Sequence, residues 1–492
     1  MTINNLTDLK SLFFDNKTLK QTIFKNTFWL GVGLGADRML RLILLVYAAR
    51  ILGATDYGKF TFALAFLSLI IIFSDFGLDA IIIREFAREK DKQEEFYSVI
   101  SLKILLSLGA FIIILLSSFF ISQDPNIQRI ILILGIFSLA ESFIGVLGAF
   151  FHAHQRMEYQ AWITVLQSLL MTGIGLFLLF KFPSVDNLSY SYLVASIFAL
   201  IFTLVLFHFK FLPFKICWQK SVWRKFLSMS WPMALVGLFS NIYINIDSAM
   251  MGYWGMLTET GWYNAAYRLV SVVIIPGALI SRSFAPILSE FFKESKEMVQ
   301  KAWNQQMDLM IMFAIPLMVG GIVLAPRIIY TFYPLDFGPS VLAFQILIIM
   351  GGTIFFYRPF TDVMVAANQQ KKIFWISLSG AIVNIILNFI LIPKYSLYGA
   401  AVATVITYIL ILLLYFMYTA KLSLVSFVQV KSILTFIIAL ASSFLMYLTI
   451  KEPLIYNLNV FLSIPLGGLV YFLAFFGLEI ILKTLKLYDF KR

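Results

Sequence analysis

Residues 26–82 read NTFWLGVGLGADRMLRLILLVYAARILGATDYGKFTFALAFLSLIIIFSDFGLDAII. Two apolar runs, 26–49 and 59–82, flank the polar hinge Gly53-Ala54-Thr55-Asp56-Tyr57-Gly58. A membrane-spanning helix needs about 20 mostly apolar residues, and each run is long enough to be one. Neither run alternates with period two, which excludes the strands of an outer-membrane barrel. Further runs follow at 98–121, 128–150, 160–181, 188–209, 229–252, 262–285, 304–325, 340–366, 373–393, 397–418, 430–450 and 456–482. The chain is thus expected to be an all-α polytopic membrane protein of about fourteen transmembrane helices. Its 60% hydrophobic and 13% charged composition lies outside the roughly 45–50% and about 25% of soluble domains. Loops this short leave no room for a catalytic domain, so a soluble enzyme on an anchor is excluded and no enzymatic activity is expected. The single cysteine, Cys217, cannot form an internal disulfide.

A net charge of +12 reads here as membrane topology and not as a nucleic-acid footprint, because basic residues collect in cytoplasmic loops. With the N-terminus inside, 26 Lys and Arg fall in inner segments and 7 in outer loops, which places both termini in the cytoplasm. The expected organisation is a cytoplasmic amphipathic N-terminus (1–25), a six-helix bundle (26–209), a basic cytoplasmic connector (210–228), a second six-helix bundle (229–418), and two additional transmembrane helices with a cytoplasmic tail (419–492). Leu12, Phe13 and Phe14, interleaved with Lys17, suit a helix on the membrane surface, and no cleavable signal peptide is expected.

An internal repeat supports the two bundles. The hinge at Gly53 is echoed by Gly255-Met256-Leu257-Thr258-Glu259-Thr260-Gly261, and Ala153-His154-Gln155-Arg156 by Ala367-Asn368-Gln369-Gln370. Both pairs lie six spans apart, an even number, so the halves share one orientation. Parallel repeats of this kind build alternating-access transporters.

Ionisable groups inside a bilayer cost about 2.5–3.5 kcal/mol each on insertion scales and mark functional sites by default. The cationic candidates are Arg38 and Arg41 in the first span, Arg268 in the eighth and Arg358 in the tenth. Asp37 and Asp362 lie at helical spacing from Arg41 and Arg358, so each pair reads either as a substrate-binding cation or as an internal salt bridge. Arg268 has no carboxylate at that spacing. Lys103 is close enough to a helix end to snorkel. Among the acids, Glu141 reads as the deepest unpaired one and, with Asp247, is a candidate for ion coupling. Asp75 and Asp79 are expected to pair with Arg84 and Arg88 or to cap a helix, and Asp308 completes the set. Gly31 and Gly35 have the small-xxx-small spacing of helix contacts. No phosphate-binding loop is present, His152 and His154 lack ligand partners, and neither a metal nor a cofactor is expected.

Several stretches resemble the polysaccharide-biosynthesis family of Wzx-type oligosaccharide flippases, within the multidrug/oligosaccharidyl-lipid/polysaccharide exporter superfamily. They are Ala49-Arg50-Ile51-Leu52-Gly53 with Tyr57-Gly58, Asp75-Phe76-Gly77-Leu78 with Arg84-Glu85, Asp247 to Arg268, and Asn384-Ile385-Ile386-Leu387-Asn388 with Leu391-Ile392-Pro393 and Gly399-Ala400-Ala401-Val402-Ala403-Thr404. The resemblance implies transport of a polyprenyl-diphosphate-linked glycan to the outer leaflet of the plasma (inner) membrane, for O-antigen or exopolysaccharide export. Its implied partners are that glycan, membrane lipids, and polysaccharide polymerase and assembly proteins; nucleic acid is not among them. The positive candidates Arg41, Arg38, Arg268 and Arg358 agree with a diphosphate. The sugar needs a wet, polar path, since its hydroxyls cannot be left unsolvated in hydrocarbon. The alternative is a multidrug/cation antiporter of the same superfamily, which would work through acids.

Overall fold

A computed structural model of the chain describes residues 19–88, 93–211, 215–422, 424–426 and 430–484. The surface helix expected over 1–25 therefore lies largely outside the described residues, as does the end of the tail. Every regular element among the described residues is helical. In chain order they are α1 (Leu19–Asp75), α2 (Leu78–Arg88), α3 (Gln93–Ile121), α4 (Pro125–Ala153), α5 (Met157–Lys181), α6 (Val185–Lys210), α7 (Lys220–Tyr253), α8 (Leu257–Val273), α9 (Ile275–Glu294), α10 (Lys296–Phe332), α11 (Ser340–Ala366), α12 (Gln370–Lys421), α13 (Val430–Lys451), α14 (Pro453–Tyr456) and α15 (Val460–Thr484).

Eleven helical stretches are long and apolar enough to cross a membrane, or twelve when α8 and α9, bent by 41° at Ile274, count as one. Two of them are longer than one crossing requires. The 57 residues of α1 would extend roughly 85 Å as a straight helix, against a hydrocarbon core of about 30 Å. The helix is broken at Gly53, whose backbone (φ 76°, ψ 173°) no α-helix contains. The 52-residue α12 is broken in the same way at Ser396 (φ 52°, ψ −133°). Both breaks fall where the apolar runs are interrupted in the sequence.

The repeat is visible in the backbone. Gly53 and Gly255 share a left-handed conformation, φ 76° and 77°, and Gln155 and Asn368 both have φ 56°. After α4 the amides of His154, Gln155 and Arg156 donate to the carbonyls of Phe150, His152 and Phe151. After α11 the amides of Ala367, Asn368 and Gln369 donate to Val363, Val365 and Met364 with identical offsets. This is one Schellman-type helix end made twice. It also corrects the register read from sequence, because Gln155 corresponds to Asn368, one residue earlier than the alanine match suggested. The left-handed cap residue sets the correspondence, and the alanine does not.

The chain divides into two compact units, Met1–Asn241 with Gly252–Thr258, and Ile242–Met251 with Glu259–Arg492. Within the first, α1 packs on α5, and α4 and α5 pack on α6. Gly33, not the Gly31 and Gly35 pair, makes the close approach: a Cβ there would lie 3.1 Å from the Cα of Ala161, whereas nothing lies within 4 Å of either neighbour. One end of this unit is filled by buried phenylalanines, with Phe96 at 4.3 Å from Phe150 and 5.5 Å from Phe207. Residues from Lys220 onward, expected in the connector, are the first turns of α7. Within the second unit α10, α11 and α12 pack in succession, and the additional helices α13 and α15 lie on α10. The Tyr471 hydroxyl fastens α15 to α10 by donating to the Met312 carbonyl at 2.8 Å.

Candidate functional site

The charges of the first unit are mostly paired. The Arg41 Nε donates to Asp37 Oδ1 at 2.6 Å, one helical turn away on α1, and Nη2 lies 3.9 Å from Glu141 Oε2 on α4. Ser168 on α5 donates to the same Asp37 oxygen, and Gln167 donates to Glu141 Oε1. Glu141 is therefore not the unpaired acid that its depth in the sequence suggested. Helices α1, α4 and α5 bring a cation and an amide to it, and helical spacing along α4 could not reveal either. Arg38 does not share the fate of Arg41. It is exposed and forms no ion pair among the described residues. The expected pairing of Asp75 and Asp79 with Arg84 and Arg88 is also corrected. Lys103 does not snorkel but is wholly buried, with Nζ 3.1 Å from Asp75 Oδ1, and Arg84 pairs with Glu85.

Asp247 in the second unit is a different kind of acid. It is 1% exposed, and among the described residues no cation lies within ion-pairing distance of it. Instead, three neutral donors converge on it. Tyr263 (α8) donates its hydroxyl to Oδ2 at 2.6 Å, Thr404 (α12) to the same oxygen at 2.5 Å, and Asn388 (α12) donates its amide to Oδ1 at 2.5 Å. Asn384, one turn before Asn388, accepts from that amide at 3.1 Å and donates to Thr407 at 3.2 Å. The α7 helix thus holds a carboxylate in a shell of hydroxyls and amides drawn from α8 and α12. The residues Tyr263, Asn384, Asn388 and Thr404 were legible in the sequence only as parts of a family pattern. Their signal was the four-residue spacing of two asparagines within an otherwise apolar run.

The two arginines singled out in this unit form no ion pair with a carboxylate among the described residues. Arg268 (α8) and Arg358 (α11) are half-buried, and the Nε of each is buried with no hydrogen-bond acceptor. Asp362 does not pair with Arg358 despite the helical spacing. Its Oδ2 instead accepts from Ser281 and Gln306, both at 2.6 Å, from α9 and α10. Next to Arg358 in the chain, the Tyr357 ring lies 5.7 Å from that of Tyr415, nearly parallel, and 6.1 Å from that of Tyr408. Among the described residues no three acidic, histidine or cysteine side chains converge closely enough to hold a metal ion. Chemically, the second unit can accept an anion at its arginines and a cation or proton at Asp247.

The chain matches the family described as polysaccharide biosynthesis protein over residues 23–292, more than half its length. It is 25% identical over 375 residues to a probable flippase, AglR, of Haloferax volcanii, covering 74% of this chain and 76% of the relative. It is 24% identical over 422 residues to a putative O-antigen transporter of Shigella flexneri, covering 78% and 94%. Among solved structures it resembles the lipid II flippase MurJ in an inward closed conformation, with a TM-score of 0.77 at 18% identity over 92% of this chain and 99% of that one. The left-handed breaks, the repeated helix ends and the apolar helices all fall within that fold, and the chain belongs to the polysaccharide biosynthesis protein family of multi-pass membrane proteins.

Proposed function

We propose that this protein moves a polyprenyl-diphosphate-linked oligosaccharide from the cytoplasmic to the outer leaflet of the plasma membrane by alternating access. The observation that carries the reading is the pair of half-buried guanidinium groups, Arg268 and Arg358, whose Nε atoms have no acceptor among the described residues. A diphosphate supplies acceptor oxygens and the opposite charge, and bidentate binding to guanidinium is the strongest form of such recognition. Arg38, in the first unit, is exposed and is a separate cationic candidate. Arg41, held by Asp37, serves to keep that acid neutralised and engages substrate less directly. Reading α1 and α12 as two crossings each, and α8 with α9 as one, gives fourteen crossings with both termini cytoplasmic. The protein catalyses no covalent step in this reading.

Two negative charges leaving a cell whose interior is 100 mV negative gain about 4.6 kcal/mol, at about 2.3 kcal/mol per charge. That alone supports a gradient of about three orders of magnitude. Ion antiport through Asp247, with Glu141 as a second linked acid, adds to it. The test is sidedness of the lipid-linked glycan in reconstituted vesicles, read with an impermeant sugar-modifying reagent under an imposed voltage. Protein-dependent, voltage-accelerated transfer is expected. No transfer from vesicles in which the same protein extrudes cationic dyes overturns the proposal in favour of a drug antiporter.

A further inference from the structure

The first unit contains a cavity of about 490 Å³ whose lining includes Asp75, Asp79, Lys103, Glu141, Ser142 and Asn241. Its charges do not balance. Asp75 at the end of α1, Asp79 in the first turn of α2 and Glu141 on α4 bring three carboxylates, against the one ammonium of Lys103 on α3. Glu141 is also approached by Arg41, but that guanidinium is already held by Asp37. With the Asp37–Arg41 pair beside Glu141 included, these groups number four acids against two cations, and α7 contributes the neutral Asn241 to the lining. Asp79 Oδ1 is buried and has no hydrogen-bond partner, while Oδ2 sits 3.1 Å from where a Cβ on Gly145 would be. A glycine at 145 therefore leaves room for this carboxylate in the α4 wall.

We propose that Asp79 binds an exchangeable proton in this cavity and that its occupancy controls the bend between α1 and α2. The inference rests on the proposed transport reading and adds a proton site separate from Asp247. A proton is the ligand taken here, because it needs only the one vacant carboxylate oxygen, Asp79 Oδ1. Burying an unpaired carboxylate is costly, and protonation removes that cost while giving Asp79 a donor for the vacant Oδ1 position.

The connection to the bend runs through Asp75. Its Oδ1 takes Lys103, and its Oδ2 accepts the Gly77 amide at 3.1 Å. The bend consists of Phe76 (φ 49°) and Gly77 (φ 74°), both left-handed. Gly77 is tightly seated, since a Cβ there would lie 2.8 Å from both the Ser230 carbonyl and the Ala234 nitrogen of α7. With Asp79 protonated, Lys103 belongs to Asp75 alone and the Gly77 amide is held. When the proton leaves, two carboxylates share one ammonium, and Asp75 loosens its grip on the bend. Protonation is thereby converted into movement at the junction of α1, α2 and α7.

The test uses the full-length protein in nanodiscs and in vesicles. Amide hydrogen exchange at Phe76 and Gly77 is expected to slow at least severalfold from alkaline to acidic buffer in the wild type, with no such change in Asp79→Asn. Separately, at clamped zero voltage, a pH gradient of one unit shifts the leaflet distribution of a fluorescent polyprenyl-diphosphate oligosaccharide by up to about tenfold if one proton moves per cycle. Asp79→Asn is expected to lose that response while keeping voltage-driven transfer. Unchanged pH response in Asp79→Asn, in either assay, overturns the proton site. If Asp79→Asn proves inactive altogether, Asp79→Glu must restore the pH response, and its failure to do so overturns the proposal as well. A wild type that shows the pH-dependent exchange but no glycan transfer refutes the transport reading and leaves the proton site standing.

Discussion

Replacing Asp247 by leucine and by asparagine separates the structural role of its shell from its charge. The carboxylate receives hydrogen bonds from Tyr263, Thr404 and Asn388 and is almost wholly inaccessible. Leucine branches at the same atom but is larger and accepts nothing, so three buried donors lose their acceptor. Each such loss costs about 1–3 kcal/mol, giving about 3–9 kcal/mol for Asp247→Leu. Thr404 can turn back to the Ala400 carbonyl, which it already contacts at 3.0 Å, so the lower half of that range is expected. Asp247→Asn keeps an oxygen for the Asn388 amide and offers an NH₂ to the Tyr263 and Thr404 hydroxyls, which can also accept. Its stability should stay within about 1 kcal/mol of wild type, the net worth of one neutral hydrogen bond. Thermal unfolding of the detergent-solubilised protein, followed by tryptophan fluorescence, measures both. Vesicle transfer assays then ask whether the well-folded Asp247→Asn has lost its response to an ion gradient. A leucine variant as stable as wild type would refute the reasoning, because it would mean that the three donors have other acceptors or water.

Three further outcomes follow from the same geometry. Arg268→Gln and Arg358→Gln break no ion pair, so thermal stability should change by less than about 1 kcal/mol while glycan transfer falls at least tenfold; a matched loss of stability would refute their assignment to substrate. Gly53→Ala meets open space and bears only the cost of a backbone (φ 76°, ψ 173°) nearly confined to glycine, about 1–3 kcal/mol, whereas Gly77→Ala adds a clash with α7 backbone atoms 2.8 Å away and should fold poorly; equal expression of the two would contradict the tight seating. Lys25 is wholly buried, 2.9 Å from Glu158, and Lys25→Met should cost about 3 kcal/mol, the lower end for breaking a buried pair, because Arg156 still donates to Glu158 at 3.2 Å. Adding Glu158→Leu should recover most of that loss in the same unfolding measurement.

The helices were legible because a bilayer imposes one requirement on every crossing, and the sequence meets it with long apolar runs. The run at 340–366 coincides with α11, and those at 128–150 and 160–181 lie within α4 and α5. The breaks within α1 and α12 were legible too, since Gly53 and the Pro393–Ser396 region interrupt the hydrophobicity. Pairing of the charges was not. Spacing along one helix correctly joined Asp37 to Arg41, yet it also suggested Arg358 with Asp362, which the fold separates by giving Asp362 two donors from α9 and α10. Lys103 with Asp75 and Gln167 with Glu141 are contacts between helices, separated by 28 and 26 residues in the chain. A periodicity argument sees only neighbours on its own helix, so it finds candidate residues and misassigns their partners.

The repeat sharpens this point into an argument about function. The two halves retain the same backbone where the helices turn, down to the hydrogen-bond offsets after α4 and α11. They have not retained the same electrostatics. In the first unit the acids Asp37, Asp75 and Glu141 are each approached by a cation. In the second, the hydrogen bonds to Asp247 and Asp362 come from neutral donors, and among the described residues Arg268 and Arg358 form no close ion pair. A buried acid among hydroxyls and amides exchanges a bound cation without breaking a salt bridge, and an unpaired guanidinium accepts an anion without displacing an internal partner. Pre-formed ion pairs, by contrast, resist both because separating them leaves two uncompensated charges. The two halves thus share a backbone at these turns and differ in how their charges are partnered. Asp79, with its vacant Oδ1, is the exception in the first unit, and an exception of that kind is where a mobile proton is to be sought.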